Sequence, residues 1–170
     1  GSEREHSREV AVEAEKIGDV AVNRFILGSN PFSGLSHQTP ETDREMERYF
    51  TVDRIKRTLR DAEALGINTL IGRGDRHIVR MLMEYWDEGG SLQWFAQTCP
   101  GIGDHEAGVR AAWQGGATAC HVHGGVMDYL LAQGKLAEAP AVIDMIRDKG
   151  MLAGIAGHNP QVFTWAEEHL

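Results

Sequence analysis

Five repeats of a strand followed by a helix constrain the fold of this chain more than any other feature of its sequence. The predicted strands lie at 24–28, 67–72, 92–99 and 151–156, with another inside 117–125 that runs into a glycine turn. Thr51 is predicted to cap the helix after the first strand, which Gly66 closes, and Asn159 with Pro160 is predicted to start the last helix. Repeated strand–helix units favour right-handed crossovers and a parallel sheet.

Polar residues follow the strands and glycines follow the helices, which is typical of a (β/α)₈ barrel. Five of the eight units of such a barrel are found here. The predicted fold is therefore α/β, a parallel (βα)₅ partial TIM barrel with a short N-terminal β-hairpin. Its predicted organisation is one domain over 1–170, with a disordered tail (1–8), a hairpin (10–23) and five βα units (24–170). The long polar stretch 31–50 is predicted to be a loop of functional or mobile character.

The charge balance of the chain is acidic. With 17 Lys plus Arg against 25 Asp plus Glu, the 170 residues carry a formal net charge of −8, and no basic tract is present. Neither nucleic acid nor an anionic membrane is expected as a partner. Cys99 and Cys120 lie in apolar, strand-like runs, which fits a reducing compartment. Because no apolar run approaches the length of a membrane span, a cytoplasmic protein is expected.

Two histidines in the stretch 117–125 are the first candidate site residues. His121 and His123 are two positions apart on a predicted strand, so they share one face. Two imidazoles on one face just before Gly124-Gly125, read here as a flexible turn, suit a site better than a core. The alternative is that they bond to backbone groups at the end of the strand.

His158 follows the next strand, so it is expected at the same mouth of the predicted barrel as His121 and His123. Three histidines from adjacent strands form the ligand set of a zinc site with an open fourth position. We therefore predict that His121, His123 and His158 bind zinc or another divalent metal, which would activate a bound water. No G-x-G-x-x-G follows the first strand, so no dinucleotide-binding residues are assigned.

Arg73 and Asp75 follow the second predicted strand. A guanidinium at the mouth can hold a carboxylate or phosphate with two hydrogen bonds, and Asp75 is a candidate general base. The alternative is a structural ion pair between the two. Cys99 is a candidate nucleophile, but a buried, inert thiol is the favoured interpretation.

Several stretches, in order, resemble the aldo/keto reductase family over roughly 15–170. The stretch 15–29 is similar to that family's opening hairpin and first strand, 65–68 to the approach to its second strand, 123–128 to its fourth strand end, and 150–160 to its fifth strand and turn. The resemblance implies a (β/α)₈ barrel. Of the family's catalytic Asp, Tyr, Lys and His, it carries over only the His, onto His123. Ile71, Arg76 and either Thr98 or Cys99 stand at the other positions.

Three functions remain open at this point. The first is a metal-dependent hydrolase or lyase acting on a small anionic substrate, a carboxylate or a phosphate, with Asp75, Arg73 and His123 as catalytic residues. The second is an aldo/keto reductase-like oxidoreductase with a degenerate catalytic set that keeps His123 as a polar donor. The third is a non-catalytic half-barrel that self-assembles, because open sheet edges recruit other chains.

Overall fold

The computed structural model describes residues 13–99 and 104–170, which form two β-sheets and seven α-helices. The strands are β1 (Ala14–Ile17), β2 (Val20–Asn23), β3 (Leu27–Gly28), β4 (Thr69–Arg73), β5 (Gln93–Gln97), β6 (Ala119–Val122) and β7 (Leu152–Ile155). The helices are α1 (Pro40–Tyr49), α2 (Val52–Ala64), α3 (Arg76–Asp87), α4 (His105–Gln114), α5 (Gly124–Ala132), α6 (Ala139–Asp148) and α7 (Pro160–His169). Two short 3₁₀ turns cover Asn30–Ser33 and Leu136–Glu138. The predicted tail at 1–8 and the first residues of the predicted hairpin, 10–12, lie outside the described residues.

The larger sheet is parallel, with its strands in the order β3-β4-β5-β6-β7. Strands β1 and β2 form a separate antiparallel hairpin. The predicted α/β fold, with a five-stranded parallel sheet and an N-terminal hairpin, is thus confirmed. Consecutive strands are neighbours throughout the parallel sheet, so all their carboxyl ends lie along one edge.

Side chains before three helices accept hydrogen bonds from the first turn. The Thr51 side chain accepts from Arg54 N, Asp104 from Ala107 N, and Asn159 from Gln161 N. Such caps satisfy backbone donors that have no partner within the helix. The sequence predicted the caps at Thr51 and Asn159 correctly, because they follow from local chemistry.

Other local predictions were wrong. The stretch predicted as a loop over 31–50 contains α1, which Thr39 caps by accepting a hydrogen bond from Thr42 N. Gly124-Gly125 does not form a flexible turn but begins α5 directly after the strand. The first predicted strand, 24–28, is reduced to the two residues of β3, and Phe25 beside it is 68% exposed.

The main core lies between one face of the parallel sheet and the helices. Leu70, Trp94 and Cys120 contribute to it from β4, β5 and β6, and each is at most 1% exposed. Buried side chains from α2 through α7 complete the same cluster. Helices therefore cover this face of the sheet and leave the opposite face to other elements.

The hairpin covers the opposite face at the amino end of the strands. Val22 of β2 is 4% exposed and forms a second buried cluster with Phe95 and Ala119. Asn68 fixes the hairpin further, because its side chain donates to Ala21 O at 2.9 Å and accepts from Asn23 N at 3.0 Å. The carboxyl half of this face lies beyond that cluster, and there the strands carry polar side chains.

None of the helices formed by residues 13–99 and 104–170 is long and apolar enough to cross a membrane.

Candidate functional site

Three polar side chains form a row across the parallel sheet near its carboxyl edge. In the strand register Arg73 pairs with Gln97, and Gln97 pairs with His121. Paired residues of adjacent strands lie side by side on the same face. The row continues to Gly154 on β7, where a Cβ atom would lie only 3.3 Å from His121 Cβ. The missing side chain at Gly154 therefore leaves room for the His121 side chain at its Cβ atom.

His121 is held neutral by its surroundings. Burial, assisted by the nearby His123, lowers the pKa of His121 from 6.5 to about 4. A buried imidazole loses its positive charge because the low-dielectric surroundings solvate the charged form poorly. At neutral pH this ring therefore contributes a polar group without a charge.

His123 follows β6 and serves as the N-cap of α5. Its Nδ1 accepts a hydrogen bond from Gly125 N at 3.0 Å, and its backbone N donates to Thr98 Oγ1 at 2.9 Å. A neutral imidazole carries one proton, so with Nδ1 as acceptor the proton lies on Nε2. His123 therefore presents an Nε2–H donor, and the backbone bond expected as the alternative role of these histidines is present.

The electrostatic surroundings of His123 favour its neutral form. Burial, followed by the positive charges of Arg73 and His158, lowers the pKa of His123, and Asp128 opposes the change. Arg73 ends β4 and His158 follows β7, so both act on His123 from neighbouring parts of the same edge of the sheet. His123 is thus the member of the predicted set through which the others are coupled.

Asp128 and His158 form the shortest ion pair at this edge. Asp128 Oδ2 lies 2.6 Å from His158 Nδ1, and Asp128 Oδ1 accepts from the backbone N of His158 at 3.0 Å and of Asn159 at 3.2 Å. The hydrogen bond from the His158 ring and those from the backbone hold the pKa of Asp128 below its ordinary value. The carboxylate is thus ionised and Nδ1 is the donor. When the ring is neutral, Nε2 carries a lone pair, and no described residue bonds to that atom.

Access to His158 is open. Its side chain is 84% exposed, whereas that of Asp128 is 26% exposed. A Cβ atom on Gly124 would lie 3.4 Å from His158 Cε1, so the ring rests against the first residue of α5. The result is an accessible imidazole in a fixed orientation, held by a carboxylate that is mostly shielded.

Arg73 and Asp75 are engaged with each other and with neighbouring groups. Arg73 Nε lies 3.5 Å from Asp75 Oδ2, which is the ion pair considered as an alternative role. Asp75 Oδ1 accepts from Ile78 N at 3.0 Å and caps α3. Arg73 Nη2 also donates to the buried Cys99 Sγ at 2.9 Å. Both oxygens of Asp75 have partners, as in a carboxylate with a structural role. Arg73 belongs to the row of polar side chains across the sheet.

A metal centre made of His121, His123 and His158 remains a prediction. Among residues 13–99 and 104–170, no group of three or more His, Cys, Asp or Glu side chains is placed to hold a metal ion. The hydrogen bonds leave His158 Nε2 with a ligating lone pair, whereas Nε2 of His123 carries a proton. In these ring orientations His158 is better placed to bind a metal ion than His123 is.

Sequence reasoning did not include Asp128 or Thr98 in the site. Asp128 is the one charged residue in the nine residues of α5, an otherwise apolar or glycine-containing helix. That isolation was the available signal, because a lone carboxylate in the middle of such a helix requires a polar partner. Thr98 gave no such signal, since its role is to accept a backbone hydrogen bond from another strand.

Comparison with known protein families, curated proteins and solved structures gave no significant match to this chain. The resemblance to aldo/keto reductases therefore stays a prediction, and the interpretation of the site depends on its own geometry.

Proposed function

We propose that the carboxyl edge of the parallel sheet is the active site of a hydrolase or lyase that acts on a small anionic substrate. Arg73 would hold the carboxylate or phosphate of the substrate, because a guanidinium bonds such groups with paired N–H donors. His158 would act as the general base, and His123 would donate a hydrogen bond where negative charge develops.

The observation that carries this proposal is the Asp128–His158 pair. A histidine whose Nδ1–H is held by a carboxylate has its Nε2 lone pair fixed in direction and made more basic. The 2.6 Å contact and the 84% exposed ring combine that orientation with access for a substrate. Proton removal by such a group typically contributes ~10²–10⁴-fold to a rate.

The role proposed for His123 depends on its tautomer. An Nε2–H donor held neutral in a partly buried position can stabilise an oxyanion without first losing a proton. The Gly125 N–H bond to Nδ1 favours that tautomer. Because Asp75 already caps α3 and pairs with Arg73, we propose it as support for Arg73 and assign the base role to His158.

The proposal is tested by turnover of two simple probes. Hydrolysis of p-nitrophenyl phosphate and deuterium exchange at the methyl group of pyruvate report on the two reaction classes. We expect the wild type to catalyse at least one of them, with a loss of ~10²-fold or more in His158→Asn. His169→Asn, at the end of α7, is the control and should keep the wild-type rate. No turnover in the wild type, or full activity in His158→Asn, would contradict the proposal.

A metal-dependent version of the same activity is the second candidate. The Asp128–His158 contact is also the arrangement that orients metal-binding histidines, with the carboxylate on one ring nitrogen and the metal on the other. Zinc or another divalent metal, held by His158 together with His121 or a rotated His123, would supply an activated water. Metal analysis of protein purified without added metal separates the two versions, since the metal-free mechanism predicts full activity after treatment with a chelator.

We also propose that the sheet is part of a TIM-type barrel. The sequential parallel order and the single helix-covered face support this, since a closed barrel has the same order and keeps its helices outside. Within that fold, the Nε2–H donor of His123 supports an aldo/keto reductase-like oxidoreductase as a third candidate. We further propose that a partial barrel self-assembles through its edge strands β3 and β7. Each of them pairs on one side only among the described strands.

A further inference from the structure

A groove between α3 and α4 opens beside Arg73 and has a volume of about 870 Å³. Its mouth is formed by Arg73, Asp75 and Cys99 at the carboxyl edge of the sheet. From there it runs along the outer surface, where Val79 and Met83 line its α3 side. Volumes of ~300–1,000 Å³ are usual for sites that bind small organic molecules.

The groove is positively charged in an acidic protein. Among the described residues that line it are three arginines, Arg73, Arg76 and Arg80, and one carboxylate, that of Asp75. This leaves an excess of two positive charges, whereas the whole chain carries −8. A phosphate monoester carries ~1.5–2 negative charges at neutral pH, so it matches this excess better than a carboxylate does.

Arg76 and Arg80 are placed to act together. They are four residues apart on α3, so their side chains leave the same face of the helix one turn apart. The Arg76 side chain has no hydrogen bond or ion pair with any residue in the part of the chain that the structure describes. Arg80 pairs with Glu84 at 3.0 Å, but its side chain is 74% exposed, and such surface pairs are weak enough to exchange for a better anion.

The groove is also apolar along part of its length. Met83 is 48% exposed, and Val79, Ala111 and Gly115 lie in the same lining. Exposed apolar surface beside arginines fits a ligand with an apolar body and a charged end. Because Arg73 lines the groove and also acts electrostatically on His123, the groove and the edge of the sheet are adjacent.

We propose that the α3–α4 groove binds the phosphate and the apolar body of an organic phosphate monoester. Arg76 and Arg80 hold the phosphate, and Val79, Met83 and Ala111 contact the body. Resting on the proposed function, the inference further identifies this ligand as the substrate. Its phosphate is shared by Arg73 with Arg76 and Arg80, at the end of the groove next to His123 and His158.

Binding of phenyl phosphate and of inorganic phosphate to the full chain, measured by titration calorimetry, tests the groove. Phenyl phosphate should bind the wild type at least tenfold more tightly than inorganic phosphate does. The double variant Arg76→Ala/Arg80→Ala should weaken phenyl phosphate binding tenfold or more. Arg44→Ala/Arg48→Ala, an exposed pair with the same spacing on α1, is the matched control and should bind like the wild type. Met83→Glu, which adds a carboxylate to the groove and removes no arginine, should also weaken binding and serves if the double variant does not fold.

The outcomes separate the groove from the proposed function. No binding to the wild type, equal affinity for the two phosphates, or equal weakening in both double variants would overturn the groove as a phosphate-ester site. His158→Asn should bind phenyl phosphate as the wild type does while losing turnover. A His158→Asn variant that keeps both binding and turnover would remove the proposed function and leave the groove intact.

Discussion

The stability of this protein should fall on acidification because of His121, and replacing that residue should remove this part of the pH dependence. In the folded protein the pKa of His121 is lowered to about 4, against 6.5 without the fold. Above pH 6.5 the ring is neutral in both states and contributes nothing. Between pH 6.5 and 4 the unfolded chain binds a proton that the folded protein does not, so the free energy of unfolding decreases as the pH falls.

The size of the effect follows from the two pKa values. At ~1.36 kcal/mol per pH unit, the full loss below pH 4 is about 3 kcal/mol, of which about 2 kcal/mol is already lost at pH 5. Urea unfolding of the wild type and of His121→Asn at pH 7.5 and pH 5 measures it. The wild type should lose ~2 kcal/mol more than the variant between these pH values. Titrating groups whose pKa does not depend on His121 cancel in this comparison.

A control and a contradicting result are available for this experiment. His77→Asn, an exposed histidine on α3, accounts for the effect of a His-to-Asn exchange as such. If the wild type and His121→Asn lose the same free energy on acidification, His121 is not held neutral by burial and this interpretation of the row across the sheet fails.

Three other predictions concern different parts of the molecule. Val22→Ala should lower the free energy of unfolding by ~2 kcal/mol, because Val22 fills the cluster that covers the sheet at its amino end. Urea unfolding measures this loss, and a value below ~0.5 kcal/mol would mean that the hairpin does not cover this face. Gly124→Ala should shift the segment that carries His158 slightly, since the new Cβ would lie only 3.3 Å from the backbone N of Gly157 and would touch His158 Cε1 at 3.4 Å. Unchanged NMR shifts of His158 would count against the packing described here. Among the described strands, β3 and β7 each pair on one side only, which predicts self-association. Light scattering at micromolar concentration should therefore give a mass of two or more chains, and a stable monomer would refute this.

The sequence predicted the parallel sheet because glycines and capping residues mark the limits of each unit. Thr51, Asp104 and Asn159 act locally, within three residues of the backbone groups that they satisfy. Helix α1 was missed because none of its residues is buried, so it shows no apolar stripe of helical period. The available signal was Thr39 before Pro40, which marks a helix start by capping chemistry alone.

The site could be predicted only in part. Alternation along the strand places His121 in the row across the sheet, and the parallel order brings His158 to the same edge. The partner of His158 could not be predicted, because Asp128 is 30 residues away in the sequence and the contact depends on how α5 packs beside the end of β7. The tautomer of His123 likewise depends on α5 beginning directly at Gly124, where a flexible turn was expected.

The central claim is that this edge of the sheet is a site in which His158 presents a free Nε2 and His123 presents an Nε2–H donor. Long-range ¹H–¹⁵N NMR of the histidine rings at pH 7.5 measures both tautomers directly. The proton of neutral His158 should be on Nδ1 and that of His123 on Nε2, and saturating phosphate should shift both rings but not that of His169. The opposite tautomers, or phosphate shifts of equal size at all three rings, would contradict the proposed site.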